Sequence, residues 1–140
     1  MRKILLAVDG SEHSDKAVQF VVDFCREHGP LEIHLLTVEP KPEGWQTHGM
    51  EAEAIKAQLK MHCHAVQQSA HALLQDAGLN AQAHFREGNA AETIVLEAGK
   101  LGCDVIVMGS RGLGAFSGIT LGSVTRKVLH LAQTPVVCVK

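Results

Sequence analysis

The chain has 140 residues, 46% hydrophobic and 20% charged, with 13 Lys+Arg against 15 Asp+Glu for a formal net charge of -2. That is enough apolar material for one compact domain over residues 1 to 140. The near-neutral balance offers no field to draw nucleic acid or an anionic membrane, so neither partner is expected and binding falls to a local site.

The opening MRKILLAVDG places a basic pair before a short apolar run that stops at Asp9. The run is too short to cross a bilayer and lacks a small-residue cleavage site, so it reads as a buried strand rather than a signal peptide. Cys25, Cys63, Cys103 and Cys138 fall in separate elements with no C-x-x-C pair, as reduced core thiols would. A cytoplasmic protein is expected.

In chain order, the first strand runs from Lys3 to Val8, and a helix follows with Val18, Val21, Val22 and Cys25 on one face before Gly29 and Pro30. A second strand spans Glu32 to Val38. The long connection EPKPEGWQTHGM comes next and reads either as a flap near a ligand or as a connector. A longer helix then carries Ile55, Leu59, Cys63, Val66, Ala70, Leu73 and Ala77 on one stripe and ends at Gly78. The third strand runs from Ala81 to Arg86. A helix opens at Asn89 with Glu92 three residues on, in the manner of a capping box, and is expected to bury Ile94, Ala98 and Leu101 before Gly102. The fourth strand spans Asp104 to Met108, a last helix uses Val124, Val128 and Leu131, and the fifth strand covers Val136 to Val139 after Pro135.

Runs such as ILLAV and VIVM are continuously apolar, the pattern of strands covered on both faces. With strict β-α alternation, this predicts an α/β fold: a doubly wound parallel sheet with helices on both faces. Ligands of such sheets lie beyond the carboxyl ends of the strands where the winding reverses. If the first strand is central and the chain later crosses back to the fourth, the facing loops are VDGSEHS and MGSRGLGAFSGITLGSVT. The second loop contains Gly109, Gly112, Gly114, Gly118 and Gly122 and runs into a helix at Ser123. Glycines let backbone N–H groups approach phosphate oxygens, the helix start adds unpaired donors, and Ser123 and Thr125 add hydroxyls.

Two familiar phosphate loops are excluded. A Walker loop needs lysine where Ala115 stands, and the dinucleotide pattern from Gly112 fails at Ser117 and lies after the wrong strand. The spacing that fits is G-x-x-G-(x9)-G-[ST] on Gly109, Gly112, Gly122 and Ser123. With AVDGS after the first strand and TPVVCVK at the end, the whole chain resembles the universal stress protein family in its nucleotide-binding branch. That resemblance implies a Rossmann-like sheet of order 3-2-1-4-5, akin to adenine nucleotide alpha hydrolases, that binds ATP or AMP, with Mg accompanying ATP. It implies that Ala7 and Asp9 line the nucleoside, Val38 and Met108 flank adenine, and Gly109, Gly112, Gly122, Ser123, Val124 and Thr125 hold ribose and phosphates, beside which Arg111 could offer charge. It further implies a homodimer through Val136, Val137, Cys138 and Val139. Leu113 to Leu121 contains no Lys or Arg, where many relatives place a base, so the loop would hold a triphosphate loosely and suits AMP as well.

Plainer roles stand beside these. Asp9 fits a helix-start acid as well as a ligand contact, Gly10 and Ser11 fit a turn and N-cap, and Val38 and Met108 would be core in any such fold. His64 and His71 share a helical face two turns apart, which is not the usual chelating spacing, so no metal is expected. Ser11, His13 and Asp15 are sequence neighbours rather than a triad drawn from distant segments. Binding with at most slow hydrolysis is therefore expected of a regulatory protein. The alternatives are an enzyme acting on nucleotide phosphates and a nucleotide-independent dimeric interaction protein. A phosphoacceptor receiver fails because the third strand ends in HFREG, without an acceptor aspartate.

Overall fold

The computed structural model describes residues 1–41, 49–111 and 121–140. Five strands, β1 (Lys3–Ala7), β2 (Glu32–Glu39), β3 (Ala81–Glu87), β4 (Val105–Gly109) and β5 (Val136–Val139), alternate with helices α1 (Glu12–His28), α2 (Gly49–Asp76), α3 (Ala90–Leu101) and α4 (Ser123–Leu131). The strands form a parallel sheet of order β3-β2-β1-β4-β5, so the winding reverses between β1 and β4, as expected.

The continuously apolar strands are explained by two cores. Ile4, Leu6 and Val8 join Ile33, Leu35, Val105 and Val107 on one face, packed against Val18 and Val21 of α1 and Val66 and Leu74 of α2. Leu5 and Ala7 join Leu36, Ile106 and Met108 on the other face, packed against Ile94 and Ala98 of α3 and Val128 of α4. Each fully buried aliphatic side chain contributes about 1.5–3 kcal/mol relative to exposure. The edge strand β3 is exposed along most of its length, which is why its sequence carries the weakest strand signal.

Helix ends follow their sequence cues. Ser11 Oγ accepts the Ser14 N–H at 3.1 Å at the start of α1, and Asn89 Oδ1 accepts the Glu92 N–H at 3.1 Å at the start of α3. Two helical stripes are rephased. On α2 the buried side chains are Ala52, Cys63, Val66, Gln67, Ala70 and Leu74, whereas Ile55, Leu73 and Ala77 are exposed and Leu59 is half-buried. Val66, Ala70 and Leu74 of this helix join the core under the sheet, and Leu74 rather than its neighbour Leu73 is buried there. On α4 only Thr125 and Val128 are buried, and Val124 and Leu131 are exposed, because one narrow strip of this short helix meets the sheet.

Two polar ties cross the core. Gln67 receives the Thr37 hydroxyl proton and donates through Nε2 to the Leu35 carbonyl at 3.2 Å, fixing α2 on β2. His34, itself buried, bonds through Nδ1 to His84 Nε2 at 2.8 Å and through Nε2 to Glu32 at 3.2 Å. Burial, then His34 and Arg86, lower the His84 pKa, against a smaller opposing pull from Glu97.

A lowered histidine pKa means that the unfolded chain binds more protons as pH falls from about 6.5 towards the folded value, so stability declines through that window. Urea unfolding of wild type and His84→Gln between pH 7.5 and 5.5 should show wild type losing stability relative to the variant on acidification. A pH-independent difference would refute this role.

Candidate functional site

Where β1 ends, the chain turns sharply. Gly10 has φ of 84°, a conformation that L side chains rarely adopt, and Asp9 Oδ1 accepts the Ser11 N–H at 2.9 Å. The Asp9 N–H donates to Ser14 Oγ at 3.1 Å, so the first turn of α1 folds back onto the strand end. Ser11 and Ser14 are both buried.

The end of β4 lies directly against this turn. A Cβ on Gly109 would stand 2.7 Å from the His13 carbonyl carbon and 2.8 Å from the Ser14 nitrogen. Only glycine permits that approach. The Gly109 carbonyl accepts the buried Thr125 hydroxyl at 2.9 Å, so this hydroxyl proton, expected at a phosphate, instead ties α4 to β4. One residue on, the Ser110 N–H donates to Val139 and its carbonyl accepts the Gly122 N–H, both at 2.8 Å. The two ends of the glycine-rich loop are thereby pinned together, whatever the course of the residues between. Gly112 and the rest of 112–120 lie outside the described residues, as do Trp45 and the rest of 42–48.

These contacts leave an open cleft at the carboxyl ends of β1 and β4, with ≈ 580 Å³ of empty space that includes open solvent. Its apolar floor includes Ala7, Leu36, Val38, Ile94 and Met108. Its polar rim includes Asp9, Ser11, Ser14, Arg111 and Thr125, with Gly109 and Val124 alongside. Of the expected site residues, Ala7, Asp9, Val38, Met108, Gly109, Arg111, Val124 and Thr125 thus line one cleft. Gly122 and Ser123 form the adjoining start of α4. Sequence reasoning missed Ser14, Leu36, Ala90 and Ile94. The available signals were the Ser11-x-x-Ser14 spacing and the opening of α3 at the same end of the sheet.

The electrostatics of this end differ between helices. Ser11 and Asn89 side chains cap α1 and α3, whereas α4 begins at Gly122 with no side-chain cap. Among the described residues no side-chain cap occupies the first turn of α4, where the N–H groups of Ser123, Val124 and Thr125 have no partner within the helix and the helix dipole has its positive end.

His64 packs on the Phe85 ring with centroids 4.5 Å apart, and among the described residues no group of three or more His, Cys, Asp or Glu is placed to hold a metal ion. Among the described residues, no helix is long and apolar enough to cross a membrane.

A family model described as the universal stress protein family matches residues 1–140. A universal stress protein of Thermus aquaticus is 34% identical over 139 residues, covering 99% of this chain and 98% of the relative. Another from Synechocystis is 34% identical over 140 residues, covering 99% of this chain and 85% of the relative. The solved structure of hypothetical protein MJ0577 is 30% identical with a TM-score of 0.82, covering 99% of this chain and 95% of that one. Two more distant folds were solved with nucleotides. An Arabidopsis thaliana universal stress protein with AMP bound is 19% identical with a TM-score of 0.74, covering 100% of this chain and 92% of that one. An Archaeoglobus fulgidus universal stress protein in complex with dAMP is 23% identical with a TM-score of 0.67, covering 100% and 98%.

Gly109→Ala should lower unfolding stability by about 1–3 kcal/mol, because the new methyl meets backbone atoms that cannot rotate away. Gly99→Ala is the control: it lies within α3, its Cβ would meet nothing within 4 Å, and it should stabilise by about 0.5–1 kcal/mol. Equal effects of the two in chemical denaturation would contradict the close approach of β4 to α1.

Proposed function

The chain belongs to the universal stress protein family, and on that premise we propose that it is an adenine-nucleotide-binding regulatory protein of the stress response. The single observation that carries this reading is the cleft between β1 and β4, with an apolar floor at one side and the uncapped start of α4 at the other. A planar base fits between Ala7, Val38 and Met108, and Asp9 stands where a ribose or base donor would be accepted. Phosphate oxygens fall to the N–H groups of Ser123, Val124 and Thr125 and to the guanidinium of Arg111, with Gly112 completing the spacing in sequence. The nucleotide-bound relatives support the choice of adenine nucleotides.

ATP or AMP is the proposed ligand, and Mg²⁺ would arrive with ATP through its phosphates. Binding with at most slow hydrolysis is the activity. The serine and threonine hydroxyls bordering the cleft already serve the fold's own hydrogen bonds, which favours a holding site over a nucleophilic one. The free thiols of Cys25, Cys63, Cys103 and Cys138 support a cytoplasmic setting.

The dimer proposed through β5 has a physical motive. Among the described residues neither sheet edge pairs with a further strand, but β3 ends in charged Arg86 and Glu87, whereas Val136, Val137, Cys138 and Val139 present a half-buried, uncharged edge. Pairing two such edges would cover both.

Mass spectrometry of small molecules released from the purified protein, followed by ATP and AMP titrations, tests the site. An adenine nucleotide should co-purify or bind, and Gly122→Val should weaken binding about tenfold or more, a loss of about 1.4 kcal/mol. Failure of wild type to bind either nucleotide at millimolar concentration would overturn the reading. Separately, Val137→Asp should convert a dimer to monomers in sedimentation velocity. An unchanged sedimentation coefficient would exclude the β5 interface.

A further inference from the structure

Arg111 and His13, 98 residues apart, meet at the cleft rim: Arg111 Nε donates to His13 Nε2 at 3.2 Å. A guanidinium has no acceptor and keeps its proton, so Nε2 must supply the lone pair. This bond assigns the neutral His13 tautomer with its proton on Nδ1. That Nδ1 is buried and has no hydrogen-bond partner among the described residues. The ring therefore pays a desolvation cost at one nitrogen while its other nitrogen serves Arg111. An apolar side chain in the same place would carry no such cost, so fold stability alone does not account for a histidine there.

The rest of Arg111 is held by the same helix turn. Its carbonyl accepts the Ser11 hydroxyl at 3.4 Å, and Ser11 is the N-cap of α1. His13 is in turn fixed by the backbone contact that excludes a Cβ from Gly109. The His13 bond occupies Nε and leaves the two Nη groups, the paired donors with which arginine grips phosphate, without a hydrogen bond among the described residues. Arg111 lines the cleft together with Val124 and Thr125 of the α4 start.

We propose that His13 is a positioning residue: through Nε2 it orients the Arg111 guanidinium towards the phosphate end of the cleft and so sets the preference for phosphorylated over unphosphorylated nucleosides. This inference rests on the reading of the cleft as an adenine-nucleotide site. Even a half-buried arginine loses side-chain freedom on gripping an anion, and a neutral acceptor at Nε removes part of that loss beforehand without neutralising the charge. A carboxylate in the same place would orient the guanidinium equally well but would repel phosphate.

The test is calorimetric titration of AMP and adenosine into wild type, His13→Leu, His13→Gln and His13→Asn, with thermal unfolding of each. His13→Leu should reduce the preference for AMP over adenosine about tenfold, with adenosine affinity within about twofold of wild type and no loss of thermal stability. His13→Gln, whose amide oxygen reaches about as far as Nε2, should restore most of the preference; His13→Asn, which reaches only the Nδ1 position, should not. Arg111→Gln should lose the preference by itself, and His13→Leu in that background should cost nothing further, since the two act as one unit. An unchanged preference in His13→Leu, a parallel loss of adenosine and AMP, or full additivity with Arg111→Gln would overturn the inference while leaving nucleotide binding intact. If His13→Leu does not fold, the contrast between Gln and Asn decides alone. Wild type binding neither ligand would remove the nucleotide reading and this inference together.

Discussion

The contact on which the rest of the site depends is the approach of the Gly109 backbone to that of His13 and Ser14, too close for any side chain to intervene. It presses the end of β4 onto the first turn of α1, and this turn is already folded back onto the end of β1 by the Asp9–Ser14 hydrogen bond. Two loops a hundred residues apart in sequence thus become the walls of one cleft. Thr125 and Gly122 then attach α4 to the same point through the carbonyls of Gly109 and Ser110. A single missing Cβ thereby places strand end, helix start and loop mouth within reach of one small ligand.

The cleft divides its labour between sheet and helices. Its floor is the α3/α4 face of the sheet, where the alternation of β1 and β4 puts Ala7 and Met108 at the carboxyl edge of the core. Its rim is built from helix starts, and these are not equivalent. Ser11 and Asn89 each accept a first-turn N–H of α1 and α3, while among the described residues α4 starts at Gly122 without a side-chain cap. On the proposed reading, that uncapped start is what would draw a charged ligand to one end of the cleft.

Much of this architecture was legible in the residues. Strands buried on both faces read as unbroken apolar runs, so β1 and β4 were visible directly, β2 was visible from a mainly apolar run interrupted by His34 and Thr37, and β3, with AQAHFRE largely exposed, was visible through its place in the alternation. The capping signals at Ser11 and Asn89 operate locally and behave as their spacing predicts. The phase of α2 was not legible. Leu73 and Leu74 are chemically equal, and which of them is buried depends on where the helix meets β2 and how Gln67 docks on Leu35 and Thr37. The roles of Ser14 and Thr125 were hidden for a similar reason: each hydroxyl meets a backbone atom that only the folded chain brings near.

By itself, the sequence determined the order and type of the elements and the loop spacing that ends at Gly122 and Ser123, because periodicity, capping and turn chemistry act over a few residues, while the reversal of winding between β1 and β4 was implied only by the family resemblance. The tertiary structure alone decided that Gly109 is glycine for contact with α1, that the Thr125 hydroxyl serves the fold, and that His13 holds Arg111. These depend on distances between segments that no local pattern encodes, and they exist only once both faces of the sheet have been covered.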